Sequence, residues 1–322
     1  MKEIVIQTSQ SQQRIDKFVR KFLKDAPLSF IYKLFRKKDV KVNGKWVHIQ
    51  YILQSGDTVK VYVTDEQLQT FSSTTKPLHP KMLPYPILYE DEHLLIIDKP
   101  KGVLMHDEDE QKSNLTTEVL EYLYFKNEFH PSTIGVKPGP AHRLDRNTSG
   151  LVIFGKTIPA LQALHTIFKE HQRIKKEYLA LVVGIVAQDG RVNLPLRKEE
   201  DRSMVFIDSD KGEEAITDYA VLKRYPSFSL LRLTIITGKT HQIRVHMQAI
   251  QHPVVGDRKY GDFKVNGLLL KQHDYEHQFL HAERLTFVDC PAPLSYLNGQ
   301  SFQSDLPKEE QSLLELIKGI TL

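Results

Sequence analysis

The sequence predicts a protein of the α/β (α+β) class that is built from two parts of unequal size. The first part, residues 1–63, combines two short amphipathic helices with a hairpin and holds most of the positive charge. In the second part, residues 87–322, buried-strand patterns alternate with helical spacing, for example at residues 159–168 and 306–322. Residues 64–86 are rich in Ser, Thr and Pro and lack periodicity, which is typical of a linker.

Composition excludes several classes of protein. Hydrophobic residues make up 40% and charged residues 26% of the 322 residues, which are ordinary proportions for a soluble protein. Cys290 is the only cysteine, which excludes an internal disulfide, a cysteine zinc cluster and a Cys-x-x-Cys redox pair. The N-terminus lacks the apolar core of a signal peptide, and the longest apolar run, residues 179–187, is far too short to span a bilayer. We therefore expect a soluble, cytoplasmic protein with no membrane segment.

The N-terminal part is predicted to contain two helices with basic outer faces. Residues 14–23 place apolar side chains at helical spacing and leave basic side chains for the other faces. These basic residues are Arg14, Lys17, Arg20, Lys21 and Lys24. After Pro27, Ser29 is a candidate N-cap for a second helix, which ends in the triplet Arg36-Lys37-Lys38.

A hairpin and a further strand complete the N-terminal part. Asn43-Gly44, within residues 40–47, supplies the positive φ angles of a tight hairpin turn, and residues 56–63 form the last strand. Residues 1–62 hold 13 Lys and Arg against 5 Asp and Glu, whereas the rest of the chain has a net charge of −4. This asymmetry indicates a module that contacts a polyanion. The alternative is that the charges only solubilise two helices.

The second part is organised around residues 141–156. Asp145 lies between Arg143 and Arg146 in a polar segment, and the following apolar run predicts a buried strand. Positive charges close to a carboxylate favour its ionised form, so we expect Asp145 to be an anion suited to act as a nucleophile or a base. The simpler alternative is an ion pair on a solvated loop.

Two competing interpretations are disfavoured by local chemistry. Residues 150–157 formally match the phosphate-binding loop G-x-x-x-x-G-K-[ST], but the stiff residues 151–154 favour a strand over a loop that curls around phosphate. Four histidines could suggest a metal site: His142, His241, His246 and His252. Residues 241 and 246 point to opposite faces of a strand and lie about 140° apart on a helix, so this short segment cannot aim both at one ion.

Several motifs resemble the RluA/RluD family of pseudouridine synthases. The central motif is His142-Arg143-Leu144-Asp145-x-x-Thr148-Ser149-Gly150-Leu151, which is followed by a strand and Lys156. The other matches are Lys176-x-Tyr178-x-Ala180-x-Val182-x-Gly184, residues 238–246, residues 252–261 and Leu280-His281-Ala282. The chain departs from the usual pattern at Gly155, where alanine is usual, at Asp98, where asparagine is commoner, and at Lys239, where arginine is usual.

The resemblance implies a catalytic domain with a largely antiparallel mixed sheet that carries the cleft. Residues 14–63 resemble the small α/β RNA-binding domain of a ribosomal small-subunit protein, which often precedes this catalytic domain. The basic residues expected to contact RNA are Arg14, Arg20, Lys33, Arg36, Lys37 and Lys38.

The resemblance also implies roles for individual residues of the catalytic domain. Asp145 is the essential catalytic residue, Arg244 is its ion-pair partner, and Tyr178 stacks on the target base and handles a proton. Arg143 is expected to be the wedge that replaces the flipped uridine. The remaining substrate-binding residues are expected to be His142, Leu280 and Lys156.

The expected function is therefore isomerisation of uridine to pseudouridine in structured RNA, without a metal or another cofactor. Ribosomal RNA of the large subunit is the expected substrate and transfer RNA the second possibility; the expected state is a monomer. The alternative from another class is an RNA-binding or ribosome-assembly protein of the same fold without catalysis, and a nucleotide triphosphatase is the third. No role is assigned to the acidic segment at residues 107–110.

Overall fold

The computed structural model describes residues 1–71, 77–106, 114–199 and 204–320. The acidic segment at residues 107–110 lies outside these ranges. In the N-terminal part the elements are β1 (Lys2–Val5), α1 (Ile15–Phe22), α2 (Leu28–Arg36), β2 (Val40–Val42), β3 (Lys45–Trp46), β4 (Thr58–Val61) and α3 (Asp65–Phe71).

The N-terminal part is a small four-stranded sheet covered on one face by helices. Its strand order is β1-β4-β2-β3, and every neighbouring pair is antiparallel. The inward side chains of β2 and β4 pack with buried apolar residues of α1 and α2, such as Phe18 and Ile31. Asn43 and Gly44 have φ angles of 51° and 77°, which confirms the predicted tight turn.

Three local predictions for this part are corrected. Strand β1 was not predicted, and Ser29 lies inside α2, whose N-cap is Pro27. Within the predicted linker, α3 forms because Thr64 and Gln67 exchange side-chain and backbone hydrogen bonds at its start, and because Leu68 and Phe71 pack on the small core. Two apolar residues are too few to produce a clear helical period in the sequence.

The second part contains most of the strands. In chain order its elements are β5 (Ile87–Glu90), β6 (Leu94–Lys99), α4 (Leu115–Phe125), β7 (Gly139–Pro140), β8 (Ser149–Gly155), α5 (Ile158–Lys169), β9 (Ile174–Val183), β10 (Gly190–Asn193), β11 (Leu196–Lys198), β12 (Val205–Ile207), β13 (Ile216–Arg224), β14 (Phe228–Ile235), α6 (Gln242–Ala249), α7 (Phe263–His273), β15 (Leu280–Phe287), β16 (Ser301–Gln303) and α8 (Lys308–Leu316).

A ten-stranded sheet dominates this part. Its main path runs β10-β13-β14-β9-β15-β8-β6-β5, with β16 added to β15 and β7 added to β8. Within the described residues β15 and β8 form its one parallel pair, so the expected largely antiparallel mixed sheet is confirmed. Strand β8, which follows Asp145, lies between β6 and β15 and is buried along its whole length.

Both faces of the large sheet are covered. Successive side chains of β8 point to opposite faces of the sheet. Val152 and Phe154 pack with α4 and α6 on one face, and Leu151 and Ile153 pack with α5 on the other. On β9 the even-numbered residues from 178 to 182 share the first of these cores, as the alternation predicted. Helix α8 packs inward through Leu313, and Ile317, just after its end, is buried in the same core; this confirms the predicted C-terminal helix but ends it earlier. No helix in the described ranges is long and apolar enough to cross a membrane.

The two parts are joined by a polar contact as well as by the chain. Gln13 Nε2 and Lys21 Nζ donate to the carbonyl of Gly135 at 3.1 and 2.9 Å, and Gln162 Nε2 donates to the carbonyl of Gln12 at 2.7 Å. Lys21, which helical spacing placed on an outer face, is therefore turned towards the second part, and burial lowers its pKa.

Gly135 is predicted to be essential for this contact. Its φ is +84°, and an added Cβ would lie 2.4 Å from the buried ring of Phe18. We expect Gly135→Ala to lower the free energy of unfolding by roughly 2–4 kcal/mol through backbone strain and overpacking. Urea denaturation followed by circular dichroism measures this loss. Gly139→Ala is the control, because Gly139 has no atom within 4 Å of the added Cβ; equal midpoints for the two variants would contradict the prediction.

Candidate active site

The loop that carries Asp145 is held against β15 by close packing. Gly150, at the start of β8, has a φ of +108°, and a Cβ there would lie 2.2 Å from the carbonyl oxygen of Ala282. Gln278 Nε2 donates to Thr148 Oγ1 at 2.7 Å and ties the same loop to the residues before β15. Residues 150–155 run extended and antiparallel to β6, and the N–H of Ile153 donates to His142 Nε2 at 3.2 Å, so this segment does not curl into a phosphate-binding loop.

A buried lysine anchors the other side of this loop. Lys99 is fully buried at the end of β6, and its Nζ donates to the carbonyls of Pro100, Val103 and Arg146 at 2.9, 3.1 and 3.0 Å. Burial lowers the pKa of Lys99 to about 7, and the negative charge of Asp145 opposes that shift. Three carbonyl acceptors match the three N–H bonds of the ammonium form. Sequence analysis gave no role to this lysine.

Asp145 belongs to a chain of three charged groups. Arg244 Nη1 donates to Asp145 Oδ2 at 2.8 Å, while Arg244 Nε and Nη2 donate to the two carboxylate oxygens of Asp257 at 2.6 and 2.8 Å. Asp257 is fully buried and also accepts from the backbone N–H groups of Lys259 and Tyr260. Oδ1 of Asp145 has no hydrogen-bond partner within the described ranges, and 22% of the side chain is exposed.

The electrostatics follow from this geometry. Burial alone would lower the pKa of Arg244 and raise that of Asp257, but their mutual hydrogen bonds outweigh burial, so the pKa of Arg244 is raised and that of Asp257 is lowered. Both groups are therefore charged. The predicted contact between Arg244 and Asp145 is present, whereas Asp257, which sequence analysis left without a role, is what fixes the arginine.

The two arginines next to Asp145 in sequence are not its partners. Neither Arg143 nor Arg146 forms an ion pair with Asp145 among the described side chains. Arg146 Nε instead donates to the carbonyl of Gly102 at 3.1 Å, and Arg143 is exposed at the rim of the cleft. The expectation that these two arginines hold Asp145 in its ionised form is thus corrected: neither pairs with it among the described side chains, and Arg244 supplies the neighbouring positive charge.

The cleft next to Asp145 has a volume of about 340 Å³. Tyr178 of β9 and Leu280 of β15 line it and are almost fully buried, and His142 and Arg143 also line it. Burial, with the charge of Asp145 as a second cause, raises the pKa of Tyr178, so its hydroxyl keeps its proton near neutral pH. Arg244 lines it as well, so five of the predicted site residues surround Asp145 on one cavity.

The histidines around the cleft are neutral groups with separate partners. His142 stacks on Phe168 with ring centroids 4.7 Å apart, and burial lowers its pKa to about 3. His241 Nδ1 lies 2.9 Å from the hydroxyl of Tyr260, and burial lowers its pKa to about 4 despite Asp145 nearby. His246 contacts Thr217 and a carbonyl instead. In the described part of the chain no three His, Cys, Asp or Glu residues are arranged to hold a metal ion.

The structure adds one lysine to the cleft and places another away from it. Lys176 lines the cleft next to Tyr178, is 4% exposed, and has a pKa that burial lowers to about 8. Its position two residues before Tyr178 on the same strand face was the available signal. Lys156 lies outside the cleft, because its Nζ pairs with Glu90 at 3.1 Å and with Glu128. That Lys156 binds substrate stays a prediction, which its position among Glu90 and Glu128 does not support.

The predicted RNA-contacting residues of the small part are mostly free. Arg14 forms a two-point ion pair with Asp16, through Nε at 3.0 Å and Nη2 at 2.8 Å. The other predicted residues are exposed and form no ion pair with a described side chain: Arg20, Lys33, Arg36, Lys37 and Lys38. They keep a cationic surface on the side of the two helices.

Comparison with known proteins identifies the family. Residues 93–249 match the model of the RNA pseudouridylate synthase family. Ribosomal large subunit pseudouridine synthase C of Vibrio vulnificus is 36% identical over 279 residues, which cover 86% of this chain and 85% of that protein. The chain belongs to the RNA pseudouridylate synthase family. It is an enzyme that isomerises uridine in RNA.

Further relatives agree with this assignment. Ribosomal large subunit pseudouridine synthase C of Escherichia coli is 35% identical over 295 residues, which cover 89% of each chain. Among solved structures, human RNA pseudouridylate synthase domain containing 4 superposes with a TM-score of 0.57 at 24% identity, covering 73% of this chain and 94% of that one. At that identity the superposition supports the fold alone.

Asp257 gives a test of the charged chain. We expect Asp257→Asn to lower the free energy of unfolding by about 3 kcal/mol, because a neutral amide leaves the buried Arg244 partly uncompensated. Urea denaturation measures the change. The matched control is Asp218→Asn, which removes the partner of Arg191 in an exposed pair and should cost less than about 1 kcal/mol. Similar costs at the two positions would contradict the proposed role of Asp257.

The histidines give a test in solution. The ordinary pKa of a histidine side chain is 6.5, and burial lowers the values for His142 and His241 to about 3 and about 4. Both rings are protonated only below those values, so we expect no change in their NMR signals between about pH 5.5 and pH 8. His142→Gln and His241→Gln spectra assign the two signals. A midpoint between about pH 6 and pH 7 for either ring would show that it is not buried as described.

Proposed function

We propose that this enzyme isomerises uridine in large-subunit ribosomal RNA, with Asp145 as the catalytic group. The observation that supports this most is the placement of Asp145: one carboxylate oxygen is held by Arg244 and the other is open to a cavity lined by Tyr178 and Leu280. The substrate class is proposed from the relatives, which are named for the large ribosomal subunit. Monomeric state and cytoplasmic location remain predictions.

The reaction balances within the substrate. The bond between N1 of uracil and C1′ of ribose breaks, a bond between C5 and C1′ forms, a proton leaves C5 and N1 gains one. In the scheme we propose, the free Oδ1 of Asp145 faces the substrate as nucleophile or as base, while Arg244 holds the other oxygen. Because Arg244 already restrains the carboxylate of Asp145, little conformational entropy is lost when it meets the reacting atoms.

Tyr178 is assigned to positioning of the base. Because burial raises the pKa of Tyr178, its hydroxyl would have to lose its own proton before it could remove one from C5. We therefore favour stacking of the ring on uracil, with Leu280 on the same cavity as an apolar support. Lys176, the buried cation next to Tyr178, is suited to the phosphate of the bound nucleotide.

Arg143 is assigned to the RNA helix outside the cleft. A uridine stacked in structured RNA cannot reach a carboxylate in a cavity, so it must flip out at a cost of a few kcal/mol. Arg143 is exposed at the rim and forms no ion pair with a described side chain, so it is free to occupy the space that the base leaves. His142, stacked on Phe168, would form a neutral wall beside it.

The alternative, an RNA-binding or ribosome-assembly protein without catalysis, has no observation in its favour. A chain that had lost its chemistry would be free to vary at the charged residues of the cleft, whereas Asp145, Arg244 and Asp257 form a complete set of ion pairs. The two functions differ in one measurable outcome, which is turnover.

Asp145→Asn is the decisive variant. We expect it to lower pseudouridine formation by a factor of roughly a thousand or more, because the amide keeps the shape of the side chain but cannot act as nucleophile or base. RNA binding should stay within a few-fold. The assay maps pseudouridine in ribosomal and transfer RNA from cells that lack this gene, after complementation with wild type, Asp145→Asn or the control Asp218→Asn.

The outcomes separate the parts of the proposal. Modification restored in large-subunit ribosomal RNA by wild type and by Asp218→Asn, but not by Asp145→Asn, supports it in full. Restoration only in transfer RNA would overturn the substrate, and full activity of Asp145→Asn would overturn the catalytic assignment.

A further inference from the structure

The small sheet has an outer face that no described part of the chain covers. Strand pairing sets Lys41 opposite Trp46 and also opposite Lys60, so these three side chains point to the same side. By alternation along β4, Tyr62 follows Lys60 on that side, while Val59 and Val61 point into the core. We call this surface, made by Lys41, Trp46, Lys60 and Tyr62, the outer sheet face.

Two large aromatic side chains stand on the outer sheet face. Trp46 is 49% exposed and Tyr62 is 39% exposed. Burying such rings would be favourable, yet both lie open next to lysines: Lys38 Nζ is 5.6 Å from the ring centre of Trp46, and Lys41 Nζ is 5.3 Å from that of Tyr62. An exposed ring with an ammonium at its face is a binding surface with both apolar and cationic character.

The charge on this surface is predominantly positive. Lys38, Lys41 and Lys45 form no ion pair with a described side chain, and Glu3, the acid on the neighbouring strand, pairs with Lys60 at 3.0 Å. A nucleotide stacked on either ring therefore has a cation next to its phosphate. An interface for another protein would be depleted in lysine, so the charge favours a polyanion as the occupant.

We propose that the outer sheet face binds an unpaired segment of RNA, with bases stacked on Trp46 and Tyr62 and phosphates held by the lysines. This surface is distinct from the catalytic cleft, and it adjoins the basic end of α2 through Lys38. Unpaired bases are required, because base faces inside a duplex are already stacked and cannot reach a flat sheet. The inference rests on the proposed function and adds a single-stranded element, next to the target uridine, to what the enzyme recognises.

The protein contains an intrinsic fluorescent reporter of the outer sheet face. Trp46 is the only tryptophan, so its fluorescence reports this surface alone when tyrosine is not excited. The probe is a uridine-rich RNA strand of about eight nucleotides, added to the full-length protein, with a duplex of the same length as comparison. We expect the single strand to quench Trp46 and the duplex to leave it nearly unchanged. Equal responses to both, or none to the strand at saturation, would overturn the proposal.

Substitutions separate stacking from charge. Trp46→Ala and Tyr62→Ala should each weaken binding of the single strand by about 5- to 100-fold, measured by fluorescence anisotropy of labelled RNA. Lys38→Gln and Lys41→Gln should each flatten the plot of log affinity against log salt by about 0.7. The controls are Phe263→Ala and Lys264→Gln, neighbouring exposed residues at the start of α7, which should change neither quantity. Circular dichroism confirms the fold of each variant.

The test of the outer sheet face and the test of the proposed function can fail independently of each other. If wild type forms pseudouridine but Trp46 does not respond to the strand, the outer sheet face is wrong and the enzymatic assignment stands. If the strand quenches Trp46 but no pseudouridine depends on the gene, the proposed function is wrong. Loss of affinity in the two alanine variants equal to that in Phe263→Ala would show that the aromatic rings do not stack on RNA.

Discussion

The site depends on one guanidinium shared between two carboxylates. Arg244 uses two nitrogens on the fully buried Asp257 and one on Asp145. The group of three carries one net negative charge, and the geometry determines where that charge is available: Asp257 is enclosed by Arg244 and backbone N–H groups, whereas Asp145 keeps an oxygen free at the cavity. Because Asp257 holds Arg244 in place, the arginine orients the carboxylate of Asp145 through one oxygen and leaves the other oxygen available for reaction.

The large sheet explains why the other residues meet Asp145. Tyr178 and Leu280 come from β9 and β15, which are neighbours in the sheet, and Asp145 precedes β8, which pairs with β15 on its other side. The parallel pair of β8 and β15 requires a long crossover, and α6 with Arg244 lies within that crossover. The parallel pairing of β8 with β15 therefore brings residues from four separate stretches of sequence to the same cavity.

Much of this could be predicted from sequence, for identifiable reasons. Strand alternation placed Tyr178 on the same face of β9 as Ala180 and Val182, and the Asn43-Gly44 turn followed from local backbone chemistry. The place of Tyr178 at the cleft was implied by the family resemblance. Contacts between distant residues could not be predicted in this way. Nearness in sequence suggested Arg143 and Arg146 as partners of Asp145, but a loop turns successive side chains in different directions. The ion pairs of Lys156 were missed for a related reason: its partners Glu90 and Glu128 come from segments that only the fold brings to the end of β8.

The contact between the two parts changes how the N-terminal charge should be understood. The excess of positive charge in residues 1–62 indicated contact with a polyanion, yet Arg14 is paired with Asp16 and Lys21 is bound to the carbonyl of Gly135. The available charge lies instead at the end of α2 and on the outer sheet face. Because Gln13, Lys21 and Phe18 all meet the loop around Gly135, the small part is held against the second part. Under the proposed function, RNA bound to the small part would therefore approach the cleft in a restricted orientation. The contact at Gly135 would then link recognition of RNA by the small part to placement of the target uridine in the cleft.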